Sequence, residues 1–161
     1  MSPGSLSPMR ICPSISLMGL VLWLAMAGCA EVAGSGRSMQ IPSVRISCTT
    51  TNCRNAAQAD AYVVYTTSGC VNPDFGVRAA GSQRLTCNAI GCAGTVSQFI
   101  DSNSQSVTFI PEGTYSVCVN LDFNSNYLGI PASGDSKGQL ASAALTTGTS
   151  FADVSVFTDV P

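Results

Sequence analysis

The sequence predicts an all-β domain, a disulfide-stapled β-sandwich of about seven short strands. It stands behind a signal peptide and a flexible tether. Three observations carry this reading. Alternation of apolar and polar residues with period two is the strongest pattern in the chain after residue 40, as in Gly113–Phe123 (GTYSVCVNLDF). Six cysteines, Cys48, Cys53, Cys70, Cys87, Cys92 and Cys118, fall in the same region, and an even number in an exported domain argues for bridges. Helical periodicity is scarce: only Asn55–Asp60 or Gly138–Leu145 could supply a turn or two.

Residues 1–28 read as an export leader. Met9-Arg10 gives a short positive start; MSPGSLSP before it fits such a segment poorly, so Met1 and Met9 both stand as starts of translation. Leu17 to Ala27 (LMGLVLWLAMA) is an uncharged apolar run of 11 residues. A membrane-spanning helix needs about 20, so the run has the length of a signal-peptide core. Met26-Ala27-Gly28-Cys29 follows, and it resembles the lipobox of bacterial lipoproteins, with Met26 where that family usually has Leu. The resemblance implies cleavage before Cys29 and acyl chains, palmitate among them, on its thiol and amine. Each buried CH₂ contributes about 0.8 kcal/mol, so several chains together hold a protein at a membrane. Ala30 follows, where Asp would be the family's inner-membrane retention signal. The implied destination is the outer membrane, with the domain facing the periplasm or the surface.

Residues 29–40 then turn small and polar, as a lipidated tether. Eleven such residues (Ala30–Gln40) span roughly 18 Å as coil. The folded domain is expected over 41–161. Within it, Arg45-Ile-Ser-Cys48 with Cys53 has a twin in Arg84-Leu-Thr-Cys87 with Cys92. Thr66–Phe75 and Thr114–Phe123 agree at seven of ten positions. The chain reads as two divergent copies, 45–75 and 84–123, each holding three cysteines. Three is odd, so full pairing needs at least one bridge between copies. Of 15 connectivities, the repeat favours Cys48–Cys53, Cys87–Cys92 and Cys70–Cys118. The C-x4-C spacing is not the C-x-x-C of redox catalysts.

Strands are expected where alternation holds. In 113–123, Tyr115, Val117, Val119, Leu121 and Phe123 share one face. Thr114, Ser116, Cys118, Asn120 and Asp122 share the other, which keeps Cys118 off the apolar stripe. Val44, Ile46 and Cys48 share a face in a second strand, and Leu85 and Cys87 in a third. Further strands are expected at Ala61–Thr66, Thr95–Ile100, Ser106–Ile110 and Phe151–Phe157, with a turn at Pro111-Glu112-Gly113. Gly69 and Pro73 make the first copy's end more turn than strand. Phe109-Ile-Pro-Glu-Gly-Thr-Tyr-Ser-Val-Cys-Val is similar to a segment of prealbumin-like and carboxypeptidase-regulatory-like bacterial sandwiches. Gly148–Phe157 looks like their closing strand. This resemblance covers 95–157 and implies a fold but no activity.

Composition excludes several functions. Formal charge is −2, with seven basic residues spread along the chain, so the basic patch of a nucleic-acid surface is missing. Histidine is absent, which removes Ser-His and Cys-His catalytic pairs and the commonest metal ligand. Gly134-Asp135-Ser136 resembles the G-D-S of some lipolytic hydrolases, but that family needs a His partner. Ser136-Lys137 are adjacent and do not form S-x-x-K. The one cofactor pattern is Asp122-Phe-Asn124-Ser-Asn126, with Asp135 nearby. Oxygen donors at alternate positions are what Ca²⁺ takes from a loop, but Tyr127 and Ser133 replace the expected Gly and Glu. With so few carboxylates the ion would be held weakly, and the same residues serve as a self-bonded polar turn. The expected function is a non-catalytic, lipid-anchored envelope protein with an envelope protein or glycan as partner. The alternative is a small-ligand or Ca²⁺-dependent binding module.

Overall fold

The structure is a computed structural model and describes residues 36–71, 76–125 and 131–161. It is all-β, with one short helix among the described residues. The first elements are β1 (Ser38–Gln40), β2 (Ser43–Cys48), α1 (Thr51–Asn55) and β3 (Gln58–Thr66). Next come β4 (Val77–Asn88), β5 (Gly91–Val96), β6 (Phe99–Ile100), β7 (Ser106–Val107) and β8 (Phe109–Pro111). The chain closes with β9 (Gly113–Asp122), β10 (Ser136–Leu145), β11 (Phe151–Val154) and β12 (Phe157–Asp159). More strands form than the pattern announced. Five of them are two or three residues long, too short to show alternation.

The main ladder runs β11-β2-β5-β4-β3-β9-β10-β12, and β6 and β7 branch from the side of β4. Every pair in it is antiparallel except β11 with β2. The sheet folds over on itself: β11 lies against β9 and β10, although they are far apart along the ladder. Apolar faces of both layers then meet. Val44 and Ile46 from β2 join Ala61, Val63 and Tyr65 from β3, and Val117, Val119 and Leu121 from β9. A fully buried side chain of this kind contributes about 1.5–3 kcal/mol. Tyr65 is wholly buried at the centre; its hydroxyl donates to the Pro42 carbonyl and its ring meets Phe99 and Tyr115 edge-on. Burial raises its phenol pKa well above the ordinary value.

The expected faces appear in β9. Tyr115, Val117, Val119 and Leu121 are buried, and Cys118 points to the other side, half-buried. The bridges are Cys48–Cys53, Cys70–Cys118 and Cys87–Cys92. The first ties β2 to α1, whose N-cap Thr50 accepts the Cys53 N–H through its hydroxyl. The third joins residues directly opposite each other in the β4–β5 hairpin. Because Cys48 is also opposite Cys92 on the other side of β5, the two short bridges lie together at one end of the fold. The repeated arginines take parallel roles. Arg45 grips Asp153 and Arg84 grips Asp60, each with two hydrogen bonds of 2.6–2.9 Å, and each directly across a ladder.

Four expectations are corrected. Gly138–Leu145 is strand, not helix. Its Ala- and Leu-rich sequence favours helix locally, but pairing with β9 along its length decides its state; β12 adds a second partner only at Ser136–Gly138. The ladder is interrupted by a register shift between Leu140 and Ala143, with Ser142 at φ +53°. Asn55–Asp60 is not helical either, because the helix ends at Asn55 and β3 starts at Gln58. The tether expected over 29–40 gives up its last three residues to β1. Met39 is fully buried there, and Ser38–Gln40 pairs with Phe109–Pro111. Phe151–Phe157 also divides in two: Phe151–Val154 pairs with β2 and Phe157–Asp159 with β10.

Candidate functional site

A polar cluster lies where β9, β10, β12 and α1 come together. Alternation sends Asn120 and Asp122 to the face of β9 away from the main core, yet both are buried. The segment 131–135 folds back over them and brings Asp135, with no exposed surface, against Asn120. The Asn120 amide donates to Asp135 Oδ2 at 3.0 Å, and the Ala132 N–H donates to the same oxygen at 2.9 Å. Asp135 Oδ1 and Asn120 Oδ1 are buried and accept no hydrogen bond. The Val160 N–H donates to the Asp135 carbonyl at 2.8 Å, and the Gly134 N–H to the Val160 carbonyl at 3.0 Å, which ties the segment to the chain's last strand.

Asp122 acts locally. Its Oδ1 accepts the N–H groups of Asn124 at 2.9 Å and Ser125 at 2.8 Å, so the 122–125 stretch is an Asx-type turn, with Ser125 at φ +60°. Partial burial raises the Tyr62 phenol pKa, and the negative charges of Asp60, Asp122 and Asp135 raise it further against a smaller pull from Arg84. Those acids therefore lie within electrostatic reach of Tyr62. Asn124 comes up beside Gly134. The structure thus gathers Asp122, Asn124 and Asp135 at one end of β9; Asn126 and Cys29 lie outside the described residues. Asn120 carried no sequence signal beyond its place on the polar face. Its partner is 15 residues away across a loop.

Ser136, of the Gly-Asp-Ser triplet, is fully buried. Its hydroxyl donates to Asp159 Oδ1 at 2.6 Å and sits 3.0 Å from the Thr50 hydroxyl. Asn52, in α1, donates its N–H to Asp159 Oδ2 at 3.3 Å and its side-chain amide to the Gly134 carbonyl at 2.9 Å. These bonds fasten the helix to the β10–β12 end. Burial opposes the Asp159 charge, but hydrogen bonds from Ser136, Thr50, Asn52 and Thr51 outweigh it and hold the carboxyl below its ordinary range. An unfolded Asp titrates near about 3.9. The Asp159 contribution is therefore present above that value and is lost as pH falls through the lower folded value. Asp159→Asn is expected to lower the melting temperature at pH 7 and to reduce the loss of stability below about pH 4. Melting curves from pH 7 to pH 2.5 check this; parallel profiles for both proteins would contradict it.

Clefts formed by the described residues flank the sheet. One, of about 930 Å³, is lined by Ser82, Ser97, Gln98, Ser106 and Thr108 interleaved with apolar Ile41, Val63, Val64, Phe99, Ile100 and Val107. Among the described residues, no charged side chain lines it. Another, of about 510 Å³, opens over the outer face of β9 and β10, beside Cys70–Cys118, and Asn120 and Lys137 form part of its wall. Among the described residues, no three Cys, Asp or Glu side chains converge on one point. No protein-family model, no curated protein and no solved structure matches this chain.

Proposed function

We propose that the chain is an exported envelope lipoprotein, anchored by acyl groups on Cys29, whose folded domain works by binding rather than by catalysis. The observation that carries the proposal is the use of the cysteines. Six of the eight close three bridges inside the β domain, which is the behaviour of a protein matured in an oxidising compartment. Those bridges make no use of Cys29, and Cys29 is the residue that completes the Met26–Cys29 resemblance to a lipobox. The hydroxyl of the Gly-Asp-Ser triplet serves packing, held by Asp159 away from solvent, which favours a binding role over a hydrolytic one.

Cys29→Ser is expected to move the protein from the membrane pellet to the soluble fraction and to abolish incorporation of radiolabelled palmitate. Retention of the variant in the pellet after carbonate washing would sink the anchor.

The cleft sets the hydroxyls and amides of serine, threonine and glutamine beside apolar Ile41, Val63, Val64, Phe99 and Ile100 without a charged side chain among the described residues, and a glycan of the envelope, with hydroxyls and apolar ring faces, fits that chemistry. Soluble glycan fragments should raise the melting temperature of the protein, and less so for Gln98→Ala. A panel without any shift would leave a protein partner as the remaining form of the reading.

A further inference from the structure

The outer face of the sheet carries two continuous rows of residues that run across the strands, from the 930 Å³ cleft to the 510 Å³ cleft. The registers of β6, β4, β3, β9 and β10 align Ile100, Ala80, Val64, Cys118 and Gln139 as directly opposed neighbours. Two residues along each strand, β4, β3, β9, β10 and β12 align Ser82, Tyr62, Asn120, Lys137 and Thr158 in the same manner. Opposed residues of a ladder point to one side of the sheet, and i and i+2 share that side. Every member of both rows lines one of these clefts, and Tyr62 and Val64 line both, so the hollows adjoin over β3. Asn120 alone among them is buried, beneath the 131–135 segment; Pro131 of that segment lines the 510 Å³ cleft as its bank.

The first row is mostly apolar and the second mostly polar. Val71 and Val156, both largely exposed, add apolar surface at the 510 Å³ end. Lys137 is the one charged side chain that the described residues place on either wall, and neither of their ion pairs uses it. The strands β6, β4, β3, β9, β10 and β12 lie side by side beneath, and at a spacing of about 4.8 Å they span about 24 Å. We propose that this groove holds a linear oligosaccharide of about five sugars, one per strand interval, with a carboxylate on one of them seated at Lys137. The inference rests on the glycan reading of the 930 Å³ cleft and extends it to length and charge. A pyranose has apolar ring faces and a rim of hydroxyls. Laid along the rows, the chain sets ring faces on Val64, Ala80 and Ile100 and hydroxyls against Ser82, Tyr62 and Thr158. An extended peptide would instead seek the unpaired backbone of a sheet edge, and β4, β3, β9 and β10 are paired on both sides where the groove crosses them. A single lysine in a groove otherwise free of charge suits isolated carboxylates rather than one on every sugar.

Calorimetric titration of the full chain, with its disulfides intact, tests length and charge separately. The probes are chitobiose, chitohexaose and a peptide-free hexasaccharide of alternating N-acetylglucosamine and N-acetylmuramic acid. The last has the chitohexaose backbone with a lactyl carboxylate on alternate sugars. Chitohexaose is expected to bind about tenfold more tightly than chitobiose, because it fills the 510 Å³ cleft as well. The carboxylated hexamer should gain a further factor of about three at low salt, the size of an exposed ion pair, and lose it at about 0.5 M NaCl. Lys137→Gln should erase that gain and leave chitohexaose little changed. Gln139→Ala should weaken both hexamers and spare chitobiose in the 930 Å³ cleft, which keeps the groove testable by a second exposed position. Equal affinity of disaccharide and hexamer would overturn the groove and leave the glycan reading standing. A carboxylate preference that is missing, or that survives in Lys137→Gln, would overturn the seat at Lys137. No binding of any of the three sugars would remove the groove and the glycan reading together, in favour of a protein partner.

Discussion

Replacing Cys70 and Cys118 together by serine is expected to lower stability by about 4 kcal/mol, against about 2 kcal/mol for either short bridge. The reason lies in the unfolded chain. The long bridge spans 48 residues and the short ones 5 each, and a larger closed loop removes more freedom from the denatured ensemble. For a domain of this size the loss is a fall of roughly 15 °C in melting temperature. The same bridge should open first under mild reductant. Cys70 and Cys118 are half-buried, whereas Cys48, Cys53, Cys87 and Cys92 are buried and less open to an attacking thiolate. Thermal melts of the double variant, and peptide mapping after brief reduction, check both statements. A change in midpoint no larger than that of Cys87→Ser with Cys92→Ser would count against the loop argument.

Gly91→Ala should be more damaging than any other glycine replacement in the described chain, with a loss of about 4 kcal/mol or failure to fold. Gly91 begins β5 at φ +143°, where a side chain is strained, and an added Cβ would lie 2.0 Å from the Cys48 carbonyl oxygen. That oxygen is backbone and has little room to retreat. Cys48 is held by the β2–β5 ladder opposite Cys92 and by its bridge to Cys53. Gly36 provides the comparison. It has φ +63° but nothing within 4 Å of an added Cβ, so Gly36→Ala should cost only about 1–2 kcal/mol. Urea unfolding of both variants separates steric conflict from conformational cost. Equal losses would show that the approach of β5 to Cys48 is looser than the geometry indicates.

The twin segments show how far local similarity carries. Arg45 and Arg84 begin matching R-x-x-C stretches and both end in two-point pairs with an aspartate across a ladder. The stretches between their cysteines differ. Thr51–Asn55 is helix, because Thr50 caps it and nothing forces a reversal, whereas Asn88 to Gly91 is a tight hairpin turn. In that turn the Asn88 side chain accepts the Ile90 N–H at 2.8 Å, and Gly91 tolerates a φ that other residues avoid. Asn and Gly in the second copy, against Thr and Asn in the first, account for the divergence.

Alternation in residues 113–123 was enough to assign the inner and outer faces of β9, because a side-chain period of two is a local property of extended backbone. The cysteine spacing and the repeat were likewise sufficient to favour the three bridges, since pairing of odd sets forces one link between copies. Tertiary structure alone decided the state of 138–145, where pairing with β9 overrules a helical preference. It alone buried Met39 from a run of small polar residues. It also set Asn120 against Asp135, because burial of a polar face depends on which distant segment comes to cover it, and neither residue's neighbours in the chain contain that information.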